Sequence, residues 1–525
     1  MKKRYALLII SSVISIGSKA QTTYSDVAGI FYKRCTSCHH VNGGAPFSMM
    51  KFSETAPYAA AIKNALLTGA MPPWHPDTTY GRYLYERIVT ASEKNAIIKW
   101  IDNGAVEGNP ALVPPAPIYT KYQIQAKPDL VLKIPNFKSN ATSGDVYNCF
   151  LLKTGLTTTR YIRAFEIVPN NKNLVHHVVV SLDTVGNKTN NTSGSCFSQP
   201  GEKGVGGYTP GCAPSIYPNH PLLKAGMPIK PYWQIAMQQH YAPGTAGLVD
   251  STEIRIYLYP EGETGIRQMY AATNVQYWCL PQVPCIPANK VTAFTGQSDP
   301  FPNAISLWGE YPHAHSVNKS MRINAIKPGS KLGTDSIKLI QIKNWDFDWE
   351  GVYVNKKMIK VPAGYMLHSK HVYDNTTNNP NNPNNPPQAI AFGYKTSDEM
   401  LFDSFEWLDY KTGDENLDIE DIMKNDPLIV TSVNELPAAE SIKSHVYPNP
   451  ASTVATLIIT NVLAEKCELK LFDIYGNEVA MDFIRNADSF LIHKGDLSSG
   501  VYFYSLKSGN TAGSGKIVFM PNSKN

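Results

Sequence analysis

Hydrophobic spacing changes several times along the chain, and each change marks a predicted boundary. An apolar run over residues 5–17 follows Lys2, Lys3 and Arg4 and ends at Ser18-Lys19-Ala20. That is the pattern of a signal peptide over residues 1–20, too short to cross a bilayer, and no later run reaches membrane length. Over residues 22–108 apolar positions recur at helical spacing, in 24–32, 54–67 and 91–100. Gly69-Ala70-Met71-Pro72-Pro73-Trp74 interrupts the period, placing Met71 on a loop, and Asn103-Gly104 closes it. Residues 109–127, rich in proline and alanine, read as a linker.

From Asp129 the period drops to two, as in Val131-Leu132-Lys133-Ile134 and Tyr147-Asn148-Cys149-Phe150-Leu151-Leu152. Strands and turns continue to about Leu428, which predicts β-sandwich or jelly-roll architecture. Residues 425–444 are polar and aperiodic, a second linker. After them Tyr447-Pro448-Asn449-Pro450, Leu469-Lys470-Leu471-Phe472 and Leu497-Ser498-Ser499-Gly500-Val501-Tyr502-Phe503 predict a small β-sandwich over 445–525. The expected fold class is multidomain: a small all-α domain, two all-β domains and a C-terminal β-sandwich.

With 525 residues the chain can bury several cores. Its net charge of +5, with only 17% charged residues, gives no case for nucleic acid or an anionic membrane as partner. Eight cysteines fit an oxidising compartment outside the cytoplasm. No acid/base dyad, Ser-His-Asp arrangement or phosphate loop stands out, so hydrolase and kinase chemistry has nothing to rest on.

Chemistry first enters at Cys35-Thr36-Ser37-Cys38-His39. Two thiols separated by two residues and followed by histidine are what covalent attachment of a c-type haem needs, the imidazole taking one axial position. A structural zinc or redox CxxC is the plainer alternative, but it leaves His39 and Met71 without a role. The helical segment resembles a small class I cytochrome c. That resemblance implies Cys35, Cys38, His39 and Met71 as haem-binding residues and an electron-transfer role. His40 and His75 are rival ligands; Met49 and Met50 read as packing.

In the β region, Val175-His176-His177-Val178 pairs two histidines, Gln239-His240-Tyr241 places another near a strand end, and Tyr311-Pro312-His313-Ala314-His315 forms an HxH. Positions two apart project from one face of a strand, so His313 and His315 can share a metal. Adjacent His176 and His177 face opposite ways on a regular strand, so a common ion there requires a bulge or a strand end. Neutral imidazoles suit copper, zinc, iron or nickel, and a thioether favours Cu(I).

Together with Thr396-Ser397-Asp398-Glu399-Met400, and in this order, these segments resemble the copper type II, ascorbate-dependent monooxygenases, the family of peptidylglycine α-hydroxylating and dopamine β-monooxygenases. The resemblance implies two copper ions. His176, His177 and His240 would hold the electron-supplying one, and His313, His315 and Met400 the one where dioxygen reacts. It also implies two jelly-roll domains, 128–287 and 288–424, facing across a solvent-filled cleft. Disulfides are implied among Cys149, Cys196 and Cys212, and a local Cys279–Cys285 bridge. Members acting on peptides carry an arginine two residues before the HxH, and an asparagine and a tyrosine two and four after the methionine; here those positions hold Tyr311, Phe402 and Ser404. Peptide amidation is therefore not expected, and an apolar or aromatic substrate fits better.

Residues 375–387 are a low-complexity Asn/Pro loop. His368 and His371 lie on a strand-like run as lesser ligand candidates, and Trp345-Asp346-Phe347-Asp348-Trp349 alternates as a half-buried strand would. The tail from His445 resembles the C-terminal sorting domain of type IX secretion in Bacteroidota, implying that machinery as partner and a secreted or cell-surface location; Cys467 reads as a buried free thiol. The leading expectation is a secreted copper-dependent monooxygenase hydroxylating an sp3 C–H bond with dioxygen, an external donor passing electrons through the chain's own haem. The alternatives are a non-catalytic copper and haem electron-transfer or surface protein, and an adhesin with a haem module appended.

Overall fold

The structure, a computed structural model, describes residues 21–172, 174–191, 202–275, 284–330, 335–393, 395–429, 442–460, 462–473, 478–508 and 511–521. The expected signal peptide, Cys196 and Cys279 lie outside these residues. Two compact units divide between Ser432 and Val433, inside the predicted linker. Among the described residues no helix is long and apolar enough to cross a membrane.

The first unit opens with helices Tyr24–Arg34, Ala59–Thr68 and Ala91–Asp102. Thr90 and Glu93 form a reciprocal capping box that starts the last of these. The long helix predicted over 54–67 is instead split, into Phe52–Thr55, a 3-10 turn Ala56–Tyr58 and Ala59–Thr68. Pro57 supplies no N–H to a continuous ladder. Gly69, at φ 76°, ends the helix in the left-handed region. Trp100 lies 5.9 Å from the Tyr24 ring and 5.7 Å from that of Phe31, joining first and last helices around a small apolar core.

This helical segment is sewn to the β layers. Pro76 bridges Ile342, Tyr83 bridges Asn355, and Leu84 N–H donates to Val354 O at 2.7 Å. Tyr83 is fully buried in the apolar cluster of Ile305, Ile323 and Ile340, and its hydroxyl donates to Leu339 O.

The first β pair stacks Val146–Lys153, Gln234–Tyr241, Val175–Asp183 and Glu202–Tyr208, in that order, against a sheet centred on Glu253–Leu258 and Arg160–Val168. Alternation on Gln234–Tyr241 sends Ile235, Met237 and Tyr241 into the core and leaves His240 on the opposite face. The second pair stacks Tyr270–Val275, Phe402–Asp409, Ile305–His313 and Tyr353–Val361 against Lys290–Gln297, Met366–Asn375, Asn318–Ile326 and Ser336–Ile342.

The chain crosses between the pairs earlier than expected. Tyr270–Val275 already ladders with Phe402–Asp409 of the second pair, so the boundary lies just before Tyr270 and not near 287. The end of the unit turns back: helix Ile419–Met423 joins the first core, and Asp426 meets Arg163 at 2.7 Å. The run 345–349, expected as a strand, is a 3-10 turn, Phe347–Trp349. The Asp346 side chain accepts from Asp348 N–H and bends the backbone there.

The second unit contains Ser444–Tyr447, Val454–Ile459, Ser489–His493 and Asp482–Arg485 in one sheet, and Glu468–Phe472, Gly500–Ser508 and Thr511–Phe519 in another. Leu457, Leu471, Phe490 and Ile517 fill its core, with Cys467 a buried free thiol.

Candidate metal centre

His240 and His177 are cross-strand partners, which puts both imidazoles on one face. The register then slips, Tyr241 pairing with Val175, so His176 is the extra residue of a β-bulge. The bulge turns His176 toward its neighbours and resolves the difficulty of adjacent ligands. His177 Nδ1 lies 3.2 Å from His176 Nδ1 and 3.3 Å from His240 Nδ1. Two nitrogens about 2.0 Å from a common ion at tetrahedral angles are about 3.3 Å apart, so the spacing fits a first-row metal ion. His177 and His240 are buried and His176 nearly so. Burial, then the neighbouring His240, pushes the His176 and His177 imidazoles below their ordinary range, holding them in the neutral form that binds metal.

His240 is oriented from behind. Its Nε2 donates to Asp145 Oδ1 at 2.7 Å, leaving Nδ1 as the free lone pair, and Tyr147 stacks on the ring at 4.3 Å.

His313 and His315 end the strand Ile305–His313 and its following turn, with ring centroids 5.2 Å apart. His315 Nδ1 donates to Asp398 O at 3.1 Å, leaving Nε2 free, and burial, then His313, pushes this imidazole down to about 3. His313 Nδ1 lies 2.9 Å from Glu350 Oε1, a charge contact off the hydrogen-bond line. Burial alone would raise Glu350, but His313 holds its carboxyl down at about 2. Its Oε2 accepts from the Tyr311 hydroxyl at 3.0 Å. Met400 is buried and tied to this pair through one atom: Glu399 Oε2 accepts from His315 N–H at 2.9 Å and from Met400 N–H at 3.1 Å. Beside Met400 runs a small apolar cavity lined by Phe294, Tyr373 and Phe392.

Phe347 joins the two clusters. Its ring stacks on His176 at 6.0 Å and meets His315 edge-on at 5.6 Å. The gap expected to be open water is therefore spanned, at this point, by one aromatic side chain. Asp145, Phe347 and Glu350 contact the candidate ligands, and the linear pattern does not mark them for it. Thr396 and Glu399 belong to a segment singled out for Met400 alone.

The Cys35–His39 loop keeps both thiols free. His39 is buried, and its Nδ1 meets Phe47 O at 3.0 Å, leaving Nε2 available. Trp74 Nε1, His75 Nε2 and Arg87 Nη1 are buried without a hydrogen-bond partner among the described residues. Arg87 sits close to the motif: a Cβ added to Gly211 would collide with Cys38 Sγ and lie 3.5 Å from Arg87 Nη1. Free thiols near the orphaned Arg87 guanidinium suit a covalently held group bearing carboxylates, which haem is. Met71 lies on the loop after Gly69, its N–H reaching Ala65 O at 3.3 Å. His40 instead bonds Thr36 O and stacks on Tyr119. His371 is buried against Asp403 at 3.3 Å, and His368 is buried on the same strand, both outside the three-histidine group. Cys149 and Cys285 are disulfide-bonded. Cys212 is a free thiol, and the neighbouring Gly211 packs against Cys38 Sγ.

What fold and site define is a β-rich chain with a largely buried three-histidine cluster set beside a second, two-histidine cluster. Residues 445–520 match the family described as "Secretion system C-terminal sorting domain", and the chain is therefore exported by type IX secretion to the cell surface or beyond. No curated protein matches it. Among solved structures, "Biofilm associated protein - BSP domain" aligns over 78% of this chain and 85% of its own, at 9% identity and a TM-score of 0.14, which carries no argument.

Proposed function

We propose that the protein is an exported copper-dependent monooxygenase that hydroxylates an sp3 carbon, the net change being R–H + O2 + 2 electrons + 2 H+ to R–OH + H2O. The observation that carries this is the juxtaposition of two histidine clusters on adjoining β pairs, with Phe347 touching both. When bound, copper at His176, His177 and His240 and at His313, His315 and Met400 supplies one-electron storage and dioxygen reduction, and haem at Cys35, Cys38, His39 and Met71 supplies a relay from an external donor.

The chain's own residues do the rest. Asp145 and Asp398 O each fix one imidazole tautomer, so the remaining nitrogen faces the ion. Glu350 stays ionised and keeps His313 and Tyr311 in place. Tyr311 spends its hydroxyl on Glu350, and Phe402 lies 5.9 Å from His313, so neither position offers a cation to a peptide carboxylate. The side chains facing the second cluster favour an apolar or aromatic substrate, which Phe347 would flank.

Metal quantification and EPR of the oxidised protein test the cofactor set, with two type 2 Cu(II) signals and a low-spin haem expected. Substrate-dependent oxygen uptake tests the activity. Uptake that is unchanged with both His313 and His315 replaced by alanine sinks the proposal. A non-catalytic electron-transfer role is the second reading, favoured by the ring of Phe347 filling space a substrate would use; copper and haem without substrate-stimulated uptake would support it.

A further inference from the structure

One carboxylate touches the supports of both clusters. Asp145 precedes the strand Val146–Lys153; its Oδ1 accepts from His240 Nε2–H at 2.7 Å, and its Oδ2 accepts from the Thr396 hydroxyl. Thr396 opens the segment that orients the second cluster. Two residues on, Asp398 O receives His315 Nδ1–H at 3.1 Å; one further, Glu399 Oε2 receives both His315 N–H and Met400 N–H. That segment is stiff: Asp398 N–H donates to Lys395 O at 2.8 Å, Lys395 N–H donates to Asp398 Oδ2 at 3.1 Å, and Gly393 packs so closely on the Asp398 carboxylate that a Cβ would collide. An unbroken path thus runs from His240 to His315, made of three hydrogen bonds and the backbone from Thr396 to Asp398.

We propose that Asp145 is a positioning residue that couples the two centres through Thr396, so that copper held at His176, His177 and His240 tightens binding at His313, His315 and Met400, and the reverse. The inference rests on reading both clusters as copper sites. An ion drawing on His240 Nδ1 fixes the ring and makes Nε2–H a stronger donor. Asp145 is then held more firmly, and with it the Thr396 hydroxyl. The loop that aims His315 and carries Met400 loses freedom before its own ion arrives, so that ion meets a smaller ordering cost. Linkage requires the same factor in both directions.

The experiment uses the full-length apoprotein and copper(I) ions in competition with a chelator. The affinity of the three-histidine cluster is measured with the second cluster copper-filled and, separately, removed as His313→Ala with His315→Ala. The reciprocal measurement follows the second cluster with and without His176→Ala and His177→Ala. We expect a ratio of about tenfold in each direction, within the usual range for coupled sites. Thr396→Val should bring both ratios near one and alter the Cu(II) EPR hyperfine pattern of the three-histidine site, while Thr396→Ser, which keeps the hydroxyl, restores both. A wild-type ratio of one, or a ratio untouched by Thr396→Val, overturns the coupling and leaves the copper reading standing. Failure of the wild-type cluster to take up copper overturns both.

Discussion

Glu310 makes the fold itself sensitive to pH. It lies on the strand Ile305–His313, three residues before His313, and is 1% exposed. It accepts from Asn355 Nδ2, at 3.2 and 3.3 Å from the two carboxylate oxygens. Burial pushes this carboxyl from 4.5 up to about 8, against the smaller effect of Asn355. The folded value lies above the unfolded one, so the fold favours the proton. This contribution is fully present below pH 4.5 and is lost as pH rises through about 8. At roughly 1.4 kcal/mol per unit, the whole span is on the order of 5 kcal/mol at most. Glu310→Gln keeps the shape and removes the ionisation. The variant should match wild type within about 1 kcal/mol at pH 4.5 and exceed it by several kcal/mol at pH 8, a difference of the order set by the shift. Urea unfolding followed by tryptophan fluorescence is the assay, since all eight tryptophans precede residue 432 and the signal reports the first unit alone. A residual slope from Glu399 and Glu406, both raised by burial to about 7, should survive in the variant. Parallel pH curves for wild type and variant would refute the reasoning.

Further outcomes are expected. Copper at a hundred times its dissociation constant should stabilise the first unit by about 2.7 kcal/mol per site. In thermal melts that gain shrinks when His176, His177 and His240 are alanine and vanishes when His313 and His315 follow. Replacing Cys35 and Cys38 by alanine should abolish covalent haem, seen as the loss of its visible absorption and of its mass in intact-protein spectrometry, with copper content retained. Asp426→Ala leaves the Arg163 guanidinium, 12% exposed, without its carboxylate. A loss of about 3 kcal/mol is expected, the low end for a broken buried pair, and adding Arg163→Leu should restore part of it in chemical denaturation.

The linear pattern carried the layers better than their borders. Period-two alternation marked both β pairs, yet the exchange at Tyr270 was invisible, because a strand that joins the next domain's sheet has the same alternation as one that stays. Likewise 345–349 alternates like a strand, but Asp346 caps its own turn, a local hydrogen bond that periodicity does not register. Among the site residues, the grouping of His176, His177 and His240 came from the family resemblance, while spacing alone set His176 and His177 on opposite faces; the bulge that a common ion requires is present. The residues that aim them were not legible. Asp145 is 95 positions from His240, and Glu350 is 37 positions after His313. Lone carboxylates at such distances have no spacing rule to betray them, although Asp145 decides which nitrogen of His240 faces the ion and Glu350 holds a charge contact to His313. Which of Cys149, Cys196 and Cys212 stays unpaired was likewise not legible, and in the structure Cys212 is free.

Docking of the helical segment changes how electron delivery is argued. A donor on a flexible tether gains from raised local concentration, and the gain falls as the tether lengthens. Here residues 74–86 hold the segment through two β-bridges and a buried tyrosine, so its position is set by packing and not by the linker over 109–127. Trp74 lies 5.6 Å from Tyr353, and Tyr353 is on the strand that follows Glu350, whose carboxylate contacts His313. Under the proposed function, the segment that carries the haem motif therefore abuts the β pair that bears His313 and His315. The loop of Cys38 meets Gly211 of the first pair at the same time. Both clusters are then served from a fixed distance, and the rate of internal transfer is a property of the packed interfaces, insensitive to linker length.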